Sequence, residues 1–209
     1  MRGGMKVGTL AVQGDFEAHG QMLSRLGVEH IFVRTPPGLA NVEGLVLPGG
    51  ESSTHLKFLT EGGLLDAIRE LARRGGALFG TCAGAILLAR EVKNPPQTSL
   101  GLADISVARN AYGRQVASQV LWGPSKLKEA PLEMVFIRAP LIERVGSGVE
   151  VLAESEGRPV LVRQDKVLAA TFHPELTEDT TVHEYFLQMC ASGSRGAQTA
   201  ESTKAMRSS

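Results

Sequence analysis

A cysteine placed between two glycines is the strongest chemical signal in the sequence. Residues 80–84 read Gly-Thr-Cys-Ala-Gly, the form G-x-C-x-G, between a predicted strand and a predicted helix. A nucleophile at such a turn has a strained backbone, and small residues two positions away let the strand and helix pass closely. The N-terminus of the following helix lowers the pKa of the thiol, and the N–H of Ala83 points to where an oxyanion forms. The pattern predicts that Cys82 is a nucleophile, although a small buried hydrophobic residue is the usual fate of a free cysteine.

A cysteine nucleophile needs a base and a group that orients the base. His173 closes a predicted strand over residues 167–173, and Pro174 and Glu175 follow it. In an extended chain, residues two positions apart point to the same side, so the carboxylate of Glu175 can hold one tautomer of His173. Taken alone, a strand-end histidine bonded to a carbonyl is the better interpretation. The presence of Cys82 reverses that preference and predicts a Cys-His-Glu triad.

The other four of the five histidines receive non-catalytic interpretations. His19 and His183 fall on amphipathic helices, where we expect positions in solvent or at the rim of the core. His30 lies in a predicted strand, and His55 follows a cluster of helix-capping residues.

A second glycine-containing loop follows another predicted strand. Residues 48–54 read Pro-Gly-Gly-Glu-Ser-Ser-Thr, and adjacent glycines permit positive φ angles and a close approach of backbone to a ligand. Ligands of open parallel sheets bind beyond the carboxyl ends of the strands, so we expect this loop beside Cys82. The N–H of Gly50 is a candidate second oxyanion donor. A phosphate-binding loop is the competing hypothesis, but the segment lacks the required pattern and its lysine.

The elements that position these residues alternate between strand and helix in the first half of the chain. Short apolar runs at residues 6–12, 28–33, 44–47 and 77–80 predict buried parallel strands. Helical segments follow the first, third and fourth of these strands, the last of them over residues 85–90. Short strand-like segments dominate the second half. We therefore predict an α/β fold, with a mostly parallel open sheet, helices on both faces and antiparallel strands late in the chain. Residues 1–193 are predicted to form a single domain, and residues 194–209 a mobile tail.

Composition excludes several other function classes. The 209 residues carry 22 Lys+Arg and 22 Asp+Glu, and this balance supports neither a nucleic-acid-binding surface nor a polybasic membrane anchor. Two cysteines are too few for a disulfide framework and show no metal-binding spacing. No apolar run approaches the roughly 20 residues of a spanning helix. We expect a cytoplasmic protein without metal. A count of 24 glycines is the unusual feature, and part of it falls in the two loops above.

Taken together, these motifs resemble the class I, triad-type glutamine amidotransferases, with their flavodoxin-like fold. Within that group they are most similar to the glutaminase subunits of two-subunit pyridoxal 5′-phosphate synthases. The resemblance is carried by residues 10–16 (Leu-Ala-Val-Gln-Gly-Asp-Phe), 48–54, 80–84, 109–115 (Arg-Asn-Ala-Tyr-Gly-Arg-Gln), 136–140 (Phe-Ile-Arg-Ala-Pro) and 172–176 (Phe-His-Pro-Glu-Leu).

The resemblance implies an activity and a set of roles. Such a subunit hydrolyses L-glutamine to glutamate and ammonia without a cofactor, and passes the ammonia to a (β/α)₈-barrel synthase subunit. It implies Cys82, His173 and Glu175 as the catalytic triad and the N–H groups of Gly50 and Ala83 as oxyanion donors. Gln13 is similar to a residue that couples the glutaminase site to the partner. The positions that match glutamine-binding residues are Gly50, Glu51, Ser52, Arg109, Ile137 and Arg138.

The alternatives belong to different classes. A surface salt bridge is the better interpretation of either Arg109 or Arg138 alone. A glutaminase could serve another synthase, such as one of the imidazole glycerol phosphate type, or the cysteine could hydrolyse other amides. A non-catalytic scaffold or regulatory subunit is disfavoured, because all three members of the triad are present.

Overall fold

The computed structural model describes residues 4–110 and 118–192. The predicted tail over 194–209 and part of the 109–115 segment lie outside the described residues. In chain order the elements are β1 (Lys6–Leu10), α1 (Phe16–Arg25), β2 (Glu29–Val33), β3 (Gly44–Leu47), α2 (Ser52–Glu61), α3 (Leu64–Arg73), β4 (Ala77–Thr81), α4 (Ala83–Leu88), β5 (Ala89–Lys93), β6 (Ala103–Ala108), β7 (Ser118–Gly123), β8 (Leu132–Ile137), β9 (Leu141–Val145), β10 (Glu150–Ser155), β11 (Arg158–Gln164), β12 (Val167–Ala170) and α5 (181–192), with short 3-10 turns at Pro36–Leu39 and Pro174–Leu176.

A seven-stranded sheet with the order β10-β11-β12-β4-β3-β1-β2 forms the centre of the molecule. The five strands from β12 to β2 are parallel, whereas β11 and β10 are added antiparallel at one edge. Two smaller sheets, β5-β6-β9 and β7-β8, lie outside it. The predicted mostly parallel sheet with late antiparallel strands is confirmed.

Apolar residues cover both faces of the central sheet, because side chains alternate along each strand. Leu45 and Leu47 of β3 contact the cluster that contains residues of α2, α3, α4 and the β5-β6-β9 sheet. Val46, between them, contacts the cluster formed by residues of α1, α5 and the β7-β8 ribbon. The predicted helices on both faces are therefore present. In the parts of the chain that the structure describes, no helix has the length and apolar character needed to cross a membrane.

Two predicted elements end earlier than the sequence pattern indicates. The helix expected to continue to Arg90 ends at Leu88, because Ala89 already pairs with Ala103 in β5. The strand expected over residues 167–173 ends at Ala170. In the first place, pairing with the distant strand β6 replaces the predicted helix. In the second, the pairing with β4 stops at Ala170, so the predicted strand does not continue.

The carboxyl ends of four neighbouring strands, β1, β3, β4 and β12, meet at one edge of the sheet. The loops that follow them carry Gln13, the Gly49-Gly50 pair, Cys82 and His173. Residues spread over most of the chain are thus brought to one place by the parallel register alone.

Candidate active site

Cys82 lies in the strained turn between β4 and α4 that its flanking glycines predict. Its φ and ψ angles are 48° and −103°, and its N–H donates to the carbonyl oxygen of Ala170 at 2.8 Å. A Cβ atom on Gly80 would lie 2.5 Å from the backbone of Gly84, and one on Gly84 would lie 2.0 Å from the carbonyl oxygen of Leu47. Neither glycine can be replaced without moving backbone, so both are required for the close passage of strand and helix.

His173 and Glu175 form the expected pair, but not in an extended strand. Nδ1 of His173 lies 2.8 Å from Oε1 of Glu175, and the two side chains are 4% and 0% exposed. β12 has already ended, and Pro174–Leu176 forms a 3-10 turn with His173 at its start. The predicted partnership is therefore present, while the strand geometry used to predict it is wrong. Proline after the histidine favours the tight turn, because its φ angle suits a first helical position.

The charges of this pair support each other. Burial alone would raise the pKa of Glu175, but the neighbouring His19 and His173 hold it well below its usual range. Burial alone would lower the pKa of His173, but the neighbouring side chains of Cys82 and Glu175 raise it to about 10. At neutral pH an imidazolium ion beside Cys82 is therefore favoured, and this is the charge that stabilises a thiolate.

Cys82 is 7% exposed, and its thiol faces the end of β8. Its Sγ lies 3.9 Å from the carbonyl oxygen of Ile137. The next residue, Arg138, has a φ angle of 46° and is exposed to solvent. Ile137 thus lies beside the nucleophile, and Arg138 follows it in the chain. Ala83 follows Cys82 as the first residue of α4 and is fully buried.

The Gly49-Gly50 segment approaches His173 so closely that a side chain would not fit. A Cβ atom on Gly49 would lie 2.4 Å from Cε1 of His173. The carbonyl oxygen of Gly49 in turn faces Gly14, where a Cβ atom would lie 1.8 Å from it. The backbone of this loop therefore forms one wall of the site.

Gln13 holds this wall from the neighbouring loop after β1. Its Oε1 accepts from the N–H of Glu51 at 3.2 Å, and its side chain covers Gly50, whose φ angle is 137°. His55 contacts the carbonyl oxygen of Gln13 through Nε2 at 3.0 Å. A shift of Gln13 would consequently move the Gly50–Glu51 peptide.

Glu51 caps α2, a role that we expected from the serines and threonine after it. Its carboxylate accepts from the N–H groups of Ser53 and Thr54, and Ser52 is already the first helical residue. These contacts, chiefly the hydroxyl of Ser53, lower the pKa of Glu51 to about 2. Nη2 of Arg109 lies 3.1 Å from Oε1 of Glu51. Glu51 and Arg109 are thus brought together. They form a salt bridge, which is the interpretation that the sequence favours for Arg109 taken alone.

His19 and His183 contradict the positions predicted for them in solvent or at the rim. Both are fully buried, and Nδ1 of His19 lies 3.0 Å from Nε2 of His183. Nε2 of His19 lies 3.1 Å from Oγ1 of Thr81 and 3.4 Å from Oε2 of Glu175. The two histidines are 164 residues apart, so helical periodicity could not show that each supplies the other's polar partner. A local signal did exist, because His19 lies three residues from both Phe16 and Met22, and His183 lies three residues from Phe186.

Among the residues that the structure describes, one group of side chains has the spacing of metal ligands, and it overlaps the triad. Ligand atoms of Asp15, His173 and Glu175 lie within 4.8 Å of one another. Two of these residues already use their facing atoms in the 2.8 Å contact between His173 and Glu175. The cluster is therefore explained by the triad and by the exposed Asp15 beside it.

Comparison with known proteins places this geometry in a family. The model of the SNO glutamine amidotransferase family matches residues 9–192. A pyridoxal 5′-phosphate synthase subunit PdxT of Koribacter versatilis (strain Ellin345) is 57% identical over 192 residues, which are 92% of this chain and 99% of that protein. The subunit of the same name from Solibacter usitatus (strain Ellin6076) is 52% identical over 87% of this chain and 97% of its own length.

A solved structure agrees with the sequence relatives. A crystal structure described as a glutamine amidotransferase superposes with a TM-score of 0.84 at 49% identity, covering 88% of this chain and 98% of the other. The family match, the identity over nearly whole chains and the shared fold agree. The chain belongs to the SNO glutamine amidotransferase family.

Proposed function

We propose that this chain hydrolyses L-glutamine to L-glutamate and ammonia, and that the ammonia serves the synthesis of pyridoxal 5′-phosphate. The observation that carries the proposal is the buried 2.8 Å contact between His173 and Glu175, together with Cys82 in the strained turn between β4 and α4. The relatives named as subunits of pyridoxal 5′-phosphate synthase support the product. Family membership supports the use of glutamine as the nitrogen source.

The first half of the reaction forms a thioester. The thiolate of Cys82 attacks the side-chain carboxamide carbon of glutamine, and the negative charge moves to the carboxamide oxygen. The N–H groups of Gly50 and Ala83 are the proposed donors to that oxyanion, each worth about 3 kcal/mol in comparable enzymes. His173, as imidazolium, protonates the leaving nitrogen, so that ammonia departs and the C–N bond breaks.

The second half regenerates the enzyme. His173, now neutral, takes a proton from water as the water oxygen attacks the thioester carbon. The C–S bond breaks, glutamate is released, and the proton returns the Cys82–His173 pair to its starting state. Glu175 remains ionised throughout, since its pKa lies well below its usual range, and it holds the ring through Nδ1 of His173.

The proposed glutamine site is formed by backbone and side chains around Cys82. Ile137 borders the thiol of Cys82, the Gly49-Gly50 loop borders His173, and the exposed Arg138 is the proposed contact of the substrate's carboxylate. Glu51 and Arg109 supply one negative and one positive group for the substrate's charged end. The proposed binding residues are Gly50, Glu51, Ser52, Arg109, Ile137 and Arg138.

A partner subunit is the proposed recipient of the ammonia. Ammonia released to water is protonated and diluted, so an enclosed path into a (β/α)₈-barrel synthase subunit serves the reaction better. A surface cleft of about 460 Å³ lies against residues 14–18 and Gln21, directly after Gln13. Gln13 precedes Gly14, the first residue that lines the cleft, so a partner bound there would act through this loop on Gln13, which holds the Gly50–Glu51 peptide. This position supports Gln13 as the residue that couples the two subunits.

The remaining features of the proposal follow from the chain as a whole. Residues 1–193 form one glutaminase domain, an extent supported by the family match over residues 9–192. The balance of 22 basic and 22 acidic residues favours neither nucleic acid nor a membrane surface as partner. A reactive unpaired cysteine fits a reducing compartment, and we place the protein in the cytoplasm.

Replacing each cysteine in turn tests the proposal. Cys82→Ala is expected to abolish ammonia release from glutamine in the presence of the barrel subunit, a loss of about a thousandfold or more. Cys190→Ala is the matched control, because Cys190 is buried among apolar residues. Burial also raises the pKa of the Cys190 thiol to about 12, so activity should be retained. Full glutaminase activity in Cys82→Ala would overturn the proposed nucleophile.

Ammonia release, copurification and labelling of Cys82 separate the alternatives. A folded wild-type chain that binds the barrel subunit but releases no ammonia would indicate a scaffold or regulatory subunit. Copurification with a cyclase of the imidazole glycerol phosphate type would assign the ammonia to a different synthase. Labelling of Cys82 by a glutamine-mimicking electrophile that glutamine does not prevent would favour hydrolysis of another amide.

A further inference from the structure

The second oxygen of the Glu175 carboxylate faces a buried histidine on another helix. Oε1 accepts from His173 at 2.8 Å, whereas Oε2 lies 3.4 Å from Nε2 of His19. The side chains of Glu175 and His19 are both 0% exposed. A buried carboxylate oxygen without a donor is strongly unfavourable. Among the described residues Oε2 has no hydrogen-bond partner, and Nε2 of His19, within ion-pair distance at 3.4 Å, is the group that can meet this requirement.

Contacts from two other elements hold the His19 ring in place. Its Nδ1 lies 3.0 Å from Nε2 of His183 on α5, and its Nε2 lies 3.1 Å from Oγ1 of Thr81, the residue before Cys82. The ring also stands edge-on to Phe79, with centroids 6.0 Å apart. His19 thus connects α1, α5 and the end of β4, and its Nε2 stays directed at Thr81 and Glu175.

The acceptor groups around His19 define which ring nitrogen carries a hydrogen. A carboxylate oxygen only accepts, so Nε2 must be protonated to satisfy Oε2 of Glu175. Nδ1 of His19 and Nε2 of His183 then share one hydrogen between them. The charged and titratable groups that face this cluster are Glu175 and His173 after β12, His183 on α5, Arg25 on α1 and Asp15 before α1.

We propose that His19 is a positioning residue of the glutaminase, which donates from Nε2 to Oε2 of Glu175 and thereby fixes the carboxylate that orients His173. This role rests on the proposed function, because an oriented His173 matters only if it moves protons for Cys82. In metal sites, replacing a residue that orients a ligating side chain commonly costs about 10-fold to 100-fold in affinity or activity, and we expect an effect of that order for His19.

Two substitutions at His19 separate donation from packing. In His19→Gln the side-chain amide nitrogen reaches roughly the position of Nε2, whereas the shorter amide of His19→Asn reaches only that of Nδ1. With the barrel subunit present, we expect kcat to fall less than about threefold in His19→Gln and more than about tenfold in His19→Asn. KM for glutamine should stay within about threefold of wild type in both, because neither change touches the substrate.

His30→Asn is the matched control, because His30 is another histidine beside α1 but belongs to a different element. His30 lies on β2, and its Nε2 is 3.1 Å from where a Cβ atom on Gly20, the residue after His19, would lie. It contacts α1 without facing Glu175, so kcat should match wild type. Wild-type kcat in a folded His19→Asn, or equal losses in His19→Asn and His19→Gln, would overturn the positioning role.

Alkylation of Cys82 by iodoacetamide gives a second readout that needs no glutamine. Peptide mapping after reaction at different pH values follows Cys82 separately from the buried Cys190. Weaker orientation of the imidazolium should raise the midpoint pH of Cys82 alkylation in His19→Asn and leave it unchanged in His30→Asn. If wild type released no ammonia, the proposed function would fail, whereas an unshifted midpoint in His19→Asn would contradict the role of His19.

A measurement on the unaltered chain covers the case in which His19→Asn does not fold. Nitrogen-15 NMR of labelled histidines distinguishes protonated from unprotonated ring nitrogens. We expect Nε2 of His19 to be protonated near neutral pH. An unprotonated Nε2 could not donate to Glu175 and would overturn the proposal.

Discussion

At the scale of single residues, the site contains a small number of buried ionisable groups, and each of them faces another. Glu175 is fully enclosed, and such a carboxylate stays ionised only because two histidines face its two oxygens. His173 in turn is kept cationic by the groups on either side of it, Cys82 and Glu175. Removing any one charge therefore changes the protonation of its neighbours.

Neutralising Glu175 should reduce catalysis without removing the side chain's shape. In Glu175→Gln we expect glutaminase kcat to fall by about a hundredfold or more, because the amide cannot stabilise the imidazolium ion of His173. The matched control is Glu178→Gln, which removes an exposed partner of Arg25. Steady-state ammonia release with the barrel subunit measures both, and an active Glu175→Gln would contradict the triad.

At the scale of elements, the site depends on a strand, a turn and a helix that pass within contact of one another. β4 ends at Thr81, Cys82 forms the turn, α4 begins at Ala83, and Gly84 on that helix lies against the carbonyl oxygen of Leu47 on β3. Three parallel strands and one short helix are thereby held in a fixed arrangement. Cys82, at this crossing, has a positive φ angle, a strained conformation that the surrounding contacts must hold in place.

Adding one methyl group at this crossing should disturb both stability and activity. Gly84→Ala places a Cβ atom 2.0 Å from the carbonyl oxygen of Leu47, and overpacking of this kind costs about 1–3 kcal/mol of unfolding free energy. Urea unfolding measures the stability, and ammonia release measures the displacement of Cys82. Gly148→Ala is the control, because the nearest atom to its new Cβ would be 3.7 Å away. A Gly84→Ala chain with wild-type stability would show that the crossing is not tight.

At the scale of the whole molecule, the active site joins the two faces of the central sheet. α1 and α5 on one face meet through His19 and His183, while α4 on the other face begins at the nucleophile. His183 is fully buried, and its burial lowers its pKa to about 3. Global stability should therefore depend on pH through groups that sit in or behind the site.

We expect the free energy of unfolding to fall on both sides of about pH 6.5. Because the pKa of His183 is lowered to about 3, its contribution is complete above the unfolded value of 6.5 and is lost as the pH falls. Because the pKa of His173 is raised to about 10, its contribution is complete below 6.5 and is lost as the pH rises. Each group contributes a slope of at most about 1.4 kcal/mol per pH unit.

Urea unfolding across pH 4 to 10 checks this dependence, with two variants that each flatten one side. His183→Gln should reduce the loss on the acid side, leaving the part due to Glu175 below its usual pKa. Cys82→Ala should reduce the loss on the alkaline side, because Cys82 helps to raise the pKa of His173. If the free energy of unfolding changed with pH in both variants as it does in wild type, other groups would dominate the pH dependence.

The sequence by itself determined the chemistry and the fold class. The G-x-C-x-G pattern and the His-Pro-Glu segment predicted the pairing of His173 with Glu175 and the strained turn at Cys82, both of which the structure shows. The apolar runs predicted the parallel sheet. These signals are local, because turn geometry, strand periodicity and short-range spacing follow from neighbouring residues.

Only the tertiary structure decided the features that depend on distant partners. It moved His173 and Glu175 from a strand into a 3-10 turn, gave the cap of α2 to Glu51, and buried His19 against His183. A polar residue on a helix face reads as exposed unless its partner is known, and here that partner lies on another helix far along the chain. Burial, charge pairing and pKa are properties of the assembled fold, so they could not be read from spacing alone.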